Sequence, residues 1–133
     1  MKKILITGAN SYVGTSVEEW LLKTPGEFEV DTVDTMNDAW KKADFTKYDA
    51  VFHVAGIAHV DPKPEMAPLY YKVNRDLTIE IAKWAKKAGV KQFVFMSSEI
   101  VYHVSKSLKP HIMTLDTKPN PNDFYGDSKL QAE

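Results

Sequence analysis

Tyr125 and Lys129 stand four residues apart in Phe124-Tyr125-Gly126-Asp127-Ser128-Lys129, a spacing that sets both side chains on one face of a helix. A phenol titrates at about 10 and is a poor base at neutral pH. An ammonium beside it favours the phenolate. A phenol tuned in this way can take a proton from an alcohol, or return one to a carbonyl oxygen. Ser98, which follows the apolar run Phe93-Val94-Phe95-Met96, can hydrogen-bond the same oxygen and orient it. A Tyr and a Lys at this spacing are commonplace by themselves. They gain weight from a second motif far upstream.

That motif is Thr7-Gly8-Ala9-Asn10-Ser11-Tyr12-Val13-Gly14. It follows an apolar run, Lys3 to Thr7, and opens a segment in which Val13, Val17, Trp20 and Leu21 recur at helical spacing. Gly8 permits a tight turn and Gly14 permits close packing of helix on strand. Such a turn aims free backbone N–H groups and the positive end of a helix at a diphosphate. Ser11 stands where the dinucleotide fingerprint has its middle glycine. Its side chain either crowds the diphosphate or donates its hydroxyl to it. The turn is no Walker loop, because no Gly-Lys-Ser/Thr follows. A dinucleotide site also expects a carboxylate at the end of the second strand. Asp31 and Asp34 lie there, and Asp34 is preferred because it closes the apolar part of the strand. No basic residue follows until Lys41, which favours NAD over NADP. A positive nicotinamide ring would further favour the Tyr125 phenolate, and Lys129 could reach the ribose beside it.

The elements that must position these groups alternate. Strands are expected over Lys3 to Thr7, Phe28 to Asp34, Ala50 to Ala55 and Gln92 to Ser97, with a further small strand near Trp40 to Ala43. Helices are expected over Tyr12 to Lys23, over Leu69 to Ala88, and from Phe124 onward. Gly89 follows Lys86 and Lys87 as a helix C-terminus prefers. This alternation gives an α/β fold with a parallel sheet. Tyr102 to Asn122 is polar, contains Pro110, Pro119 and Pro121, and reads as a long loop.

The 133 residues carry 17 basic and 18 acidic side chains and no cysteine. One domain is expected. A disulfide scaffold and a cysteine nucleophile are excluded. Near-neutral charge argues against a dedicated nucleic-acid binder. No apolar run approaches the ~20 residues of a membrane span. His53 is expected on a strand beside the site, while His59, His103 and His111 are dispersed. No metal site is expected. Asp76 and Glu80 read as a solvated helix face, and Trp84 as packing. The closing run Ser128 to Glu133 resembles the first turns of a helix, so the chain is expected to be part of a longer protein.

Taken in order, Thr7 to Gly14, Asp44-Phe45, His53-Val54-Ala55-Gly56, Asn74 in Lys-Val-Asn-Arg-Asp-Leu-Thr, Ser97 to Tyr102 and Pro121 to Lys129 resemble the N-terminal part of an extended short-chain dehydrogenase/reductase. The family is that of the NAD-dependent epimerases and dehydratases, nearest to its UDP-glucose 4-epimerase branch. The resemblance implies a Rossmann-type sheet with helices on both faces, about five strands in the order 3-2-1-4-5, cut before the last strands. It implies NAD as cofactor. Gly8, Asn10, Ser11, Tyr12 and Gly14 would hold the diphosphate, and Asp34 the adenosine ribose. Asp44 and Phe45 would flank the adenine, and Val54, Ala55, Gly56 and Asn74 would run beside the cofactor. Ser98, Tyr125 and Lys129 would be catalytic. The substrate implied is a nucleotide sugar such as UDP-glucose, UDP-galactose or an N-acetyl form. A cytoplasmic homodimer is implied, with no nucleic-acid or membrane partner.

Some positions depart from the family pattern. Ile100 stands where dehydratases place an acid, and Glu99 is one residue early. Ala58 replaces a lysine common in the nearest branch, and His103 a glycine. A nucleotide-sugar reductase or dehydrogenase remains open, as does a Rossmann-type binding module without catalysis.

Overall fold

The computed structural model describes residues 1–58, 61–102 and 111–133. Strand β1 (Lys2–Thr7) leads through the glycine turn into α1 (Tyr12–Leu21), and β2 (Phe28–Val33) follows. Two short 3-10 turns, Asp38–Lys42 and Phe45–Lys47, precede β3 (Ala50–His53). A nearly continuous helical rod then runs through α2 (Ala67–Tyr70), a π-helical turn (Tyr71–Asp76) and α3 (Leu77–Lys87). Strand β4 (Gln92–Phe95), a 3-10 turn (Glu99–Val101) and α4 (Phe124–Ala132) complete the described elements.

The four strands are parallel, in the order β2-β1-β3-β4. This is the expected order with one strand omitted. Trp40 to Ala43 does not form a strand. Asn37 caps a 3-10 turn by accepting from the Ala39 amide at 2.8 Å, and Trp40 drops into the core, where it is 1% exposed. One large apolar residue among polar neighbours anchors a turn more readily than it edges a sheet, because it supplies no alternating face.

Register explains the two faces. Leu5, Val51 and Phe93 align across the sheet and meet Trp40, Phe45, Ile81 and Ala85 in one core. Trp84 stacks edge-on against Trp40, with ring centroids 5.5 Å apart, which bears out its packing role. On the opposite face Ile4, Phe52 and Val94 border an open apolar groove with Val17 and Leu21 of α1. Helices thus flank both faces, α1 on one and α3 with α4 on the other.

The helical rod differs from the uninterrupted helix expected over Leu69 to Ala88. Its C-terminus behaves as predicted: Gly89 adopts φ +81°, and the Val90 amide donates to Ala85 O at 3.1 Å. The π turn at Tyr71–Asp76 is new. Such a bulge adds a residue to a turn and re-aims its side chains. Here it buries Asn74 completely.

Candidate functional site

The C-terminal ends of β1, β3 and β4 and the start of α4 converge on one edge of the sheet. The glycine turn is fixed from below. Gly8 N and Ala9 N both donate to Val33 O, at 2.9 and 3.2 Å, which places the residue after β2, Asp34, beside the turn. Gly8 has φ +125°, and a Cβ there would lie 2.8 Å from Ala55 N, so only glycine lets the turn approach that segment. Asn10 also adopts a left-handed conformation, φ +61°, as asparagine tolerates.

Ser11 resolves the question left open by the sequence. Its backbone is extended, φ −79° and ψ 150°. Its hydroxyl donates to Gly8 O at 2.8 Å and accepts from Gly14 N at 3.1 Å. The hydrogen is therefore used within the turn, and the side chain folds into the space left by Gly14, against which it packs. The mouth is left to the first-turn amides of Tyr12 and Val13, which helix geometry leaves without intrahelical acceptors. The Tyr12 ring is 89% exposed.

The carboxylates divide. Asp31 accepts from the Tyr48 hydroxyl at 2.7 Å, and burial, followed by that bond, pushes the Tyr48 phenol up to about 12. Asp34 is exposed, oriented by the Met36 amide at 2.8 Å, and is the carboxylate left beside the turn. Asp44 caps the turn Phe45–Lys47. The Thr46 hydroxyl, and then its amide, hold the Asp44 carboxyl below its ordinary range. The Phe45 ring is in the core at 2% exposure, so what position 45 can offer at the surface is backbone.

Strand β3 ends at His53, two residues short of expectation, because Thr7 O accepts from both Val54 N and Ala55 N, at 3.0 and 2.9 Å. That fork bends the chain and carries Gly56 towards α4. A Cβ on Gly56 would lie 2.9 Å from Lys129 Nζ and 3.1 Å from Asn74 Oδ1. Lys129 is 5% exposed. Its ammonium donates to Met96 O at 3.0 Å and lies 5.1 Å from the centre of the Phe95 ring. Burial lowers its pKa. The structure therefore joins the glycine turn, through Ala55 and Gly56, to the lysine of α4.

Tyr125 lies one turn earlier on α4. It is half-buried and its ring stands edge-on to Tyr70 at 6.0 Å. Asp123, unremarked in the sequence, caps α4 by accepting from Gly126 N at 2.7 Å. Its signal was an aspartate three residues before a helical glycine. Gly126 packs on the turn Glu99–Val101, where a Cβ would meet Ile100 O at 2.8 Å. Ser98 caps that turn, accepting from Ile100 N at 3.3 Å. Ser98 and the start of α4 are thus held against each other.

Of the buried polar residues between these parts, sequence reasoning named Asn74 and His53 and missed the roles of Thr78 and Ser128. Asn74 accepts from Ile57 N at 2.8 Å and donates to Ile57 O at 3.0 Å and to Ser128 Oγ at 3.2 Å. Its amide is committed to holding the Gly56 segment and α4. His53 is buried between Thr7 and Thr78. Asp76 and Glu80 pair with Arg75 and Lys41 on an exposed helix face. His59 and His103 lie outside the described residues, and His111 is exposed. Among the described residues no cluster of three or more His, Cys, Asp or Glu could hold a metal, and no helix is long and apolar enough to cross a membrane.

Residues 4–133 match the NAD dependent epimerase/dehydratase family. The chain belongs to that family. Among curated relatives of this epimerase/dehydratase-family chain, UDP-glucose 4-epimerase of Vibrio cholerae is 32% identical over 149 aligned positions, covering 99% of this chain and 45% of the relative. The N-acetyl-alpha-D-glucosaminyl-diphospho-ditrans,octacis-undecaprenol 4-epimerase of Escherichia coli O157:H7 is 27% identical over 98% of the chain and 41% of its own length. Among solved structures, a dTDP-4-dehydrorhamnose reductase from Clostridium acetobutylicum superposes with a TM-score of 0.77 at 27% identity, over 98% of this chain and 47% of that one. MoeE5 in complex with UDP-glucose and NAD gives 0.80 at 25% identity, over 98% and 46%. The chain spans less than half the length of these relatives.

Proposed function

We propose that this chain forms the NAD-binding part of a nucleotide-sugar epimerase acting at C4. One observation supports the reading: the buried Lys129 ammonium lies against Gly56, 2.9 Å from where a Cβ would stand, and the preceding residue, Ala55, packs against Gly8 of the turn. The residues fit a dinucleotide. The turn offers amide donors and a positive helix end to a diphosphate. Asp34 offers an exposed carboxylate to ribose hydroxyls and would repel a 2′-phosphate. Gly56 leaves room beside Lys129. The solved relative MoeE5, in complex with UDP-glucose and NAD, supports the same pairing of cofactor and substrate class here.

NAD, when bound, supplies hydride acceptance and return. The chain's own groups do the proton work. Lys129, one helical turn from Tyr125, can hold ribose hydroxyls. Tyr125 takes the proton from the C4 hydroxyl and later gives it back. Ser98 hydrogen-bonds the same oxygen and fixes its direction. Inversion at C4 would require Tyr125 to serve the sugar in two orientations, taking the proton in one and giving it back in the other. A second reading, a reductase of keto nucleotide sugars, is favoured by the likeness to the Clostridium reductase and by Ala58 in place of the lysine expected in the epimerase branch.

Calorimetric titration of the chain tests the first half. NAD should bind and NADP should bind at least about tenfold more weakly, the scale of one like-charge juxtaposition at an interface. Absence of NAD binding would end the proposal. In the full-length protein, UDP-glucose should convert to UDP-galactose without net NADH consumption. Stoichiometric NADH consumption with a keto sugar would select the reductase.

A further inference from the structure

A directed chain of buried hydrogen bonds runs between the glycine turn and the catalytic helix. Thr7, His53, Asn74, Thr78 and Ser128 are each no more than 2% exposed, and none has a part in the proton steps above. One atom fixes the direction. The Thr78 hydroxyl has a single hydrogen, donated to the carbonyl oxygen of Asn74 at 2.9 Å. His53 Nε2 lies 3.0 Å from the same Thr78 oxygen, so the hydrogen between them belongs to Nε2. Burial pushes His53 down to about 4, so the ring is neutral at pH 7 and Nδ1 is bare. Nδ1 therefore accepts from the Thr7 hydroxyl, 2.7 Å away. Phe93 and Phe95 flank the imidazole with near-parallel rings, each at 6.1 Å, and hold its plane.

Both ends of the chain finish on the site. Thr7 immediately precedes Gly8, and its carbonyl holds Val54 and Ala55. Asn74 holds Ile57 with both side-chain heteroatoms and donates to Ser128 Oγ, which in turn donates to Tyr125 O at 2.8 Å.

We propose that His53, fixed as its Nε2–H tautomer, and Thr78 are positioning residues that set Asn74, and through it the Gly56 segment and the Tyr125–Lys129 helix, relative to the diphosphate turn. The proposal rests on the dinucleotide reading above. Its test uses this chain, with Thr78→Val as the near-isosteric variant that can neither accept from Nε2 nor donate to Asn74, and Thr78→Ser as the variant that keeps the hydroxyl. The nitrogen spectrum of the His53 ring, recorded without ligand at pH 7, should show the neutral Nε2–H form. In Thr78→Val, NAD affinity should fall by about tenfold, the scale of stranding a buried polar group, at a temperature where circular dichroism shows the variant folded. Thr78→Ser should bind within about twofold of wild type, as retention of the bonding group requires. An Nδ1–H ring, an imidazolium, or a folded Thr78→Val that binds NAD as wild type does would overturn the proposal. A wild-type chain that binds no NAD overturns the cofactor reading instead, and the two failures are told apart because the ring spectrum is read without ligand.

Discussion

Replacing His53 with Leu should change how stability depends on pH as well as how large it is. His53 is fully buried, and burial, with a smaller contribution from the Lys129 charge, lowers it from 6.5 to about 4. At ~1.4 kcal/mol per decade, that gap corresponds to roughly 3 kcal/mol that the folded chain derives from keeping the ring neutral. The sign follows from linkage. The unfolded ring begins to bind a proton as pH falls through 6.5, while the folded ring resists until about 4. The contribution is therefore complete above 6.5 and is lost between 6.5 and 4, with roughly 2 kcal/mol gone by pH 5. His53→Leu leaves the Thr7 hydroxyl without its acceptor and Thr78 Oγ1 without one of its donors, and should cost about 1–3 kcal/mol at pH 7.5, but it has no ring to titrate. Urea unfolding of both proteins between pH 7.5 and 5 should show two curves that converge towards acid. Parallel curves, with the wild type losing no more than the variant, would refute the assignment of a neutral buried ring.

Three further outcomes follow from the site geometry. Gly56→Ala forces a methyl to within 2.9 Å of Lys129 Nζ. It should cost about 1–3 kcal/mol in urea unfolding and weaken NAD binding in calorimetry, because the ammonium must leave Met96 O. Ser11→Ala removes the cap on Gly14 and the bond to Gly8 O, and should cost about 1 kcal/mol of stability in thermal or urea melts. Tyr125→Phe should leave NAD affinity within about twofold while lowering turnover of the full-length protein by two to four orders of magnitude, roughly the range of a lost acid–base group, as read by sugar interconversion.

Much of this arrangement was legible because its signals are local. The glycine turn, the apolar strands and the Gly89 stop each rest on residues close in sequence. The end of β3 was not, since the fork from Thr7 O to Val54 and Ala55 depends on a strand some forty-six positions away, as the Thr7–His53 bond does. The strand expected at Trp40 to Ala43 failed because a lone tryptophan fits a core plug as well as a sheet edge. The π turn was invisible: Val73, Leu77, Ile81, Trp84 and Ala88 keep a helical rhythm across it, and a single bulge does not break an apolar stripe. Ser11 shows a finer limit. Its type allowed crowding or donation, and its actual role, closing the turn on itself, depends on the empty space at Gly14. His53 was placed on the correct strand, but its partner Thr78 lies 25 residues further on, beyond any local pattern.

The central claim is that the Gly8 turn and the Tyr125–Lys129 face bind one dinucleotide together. Backbone amide spectra recorded during titration with NAD, and separately with AMP, test it directly. NAD should move the resonances of Gly8 to Val13, of Gly56 and of Tyr125 to Lys129 with one midpoint, while AMP should move those near the turn and Asp34 and leave α4 in place. NAD that perturbs the turn but leaves Gly56 and α4 untouched at saturation would contradict the account.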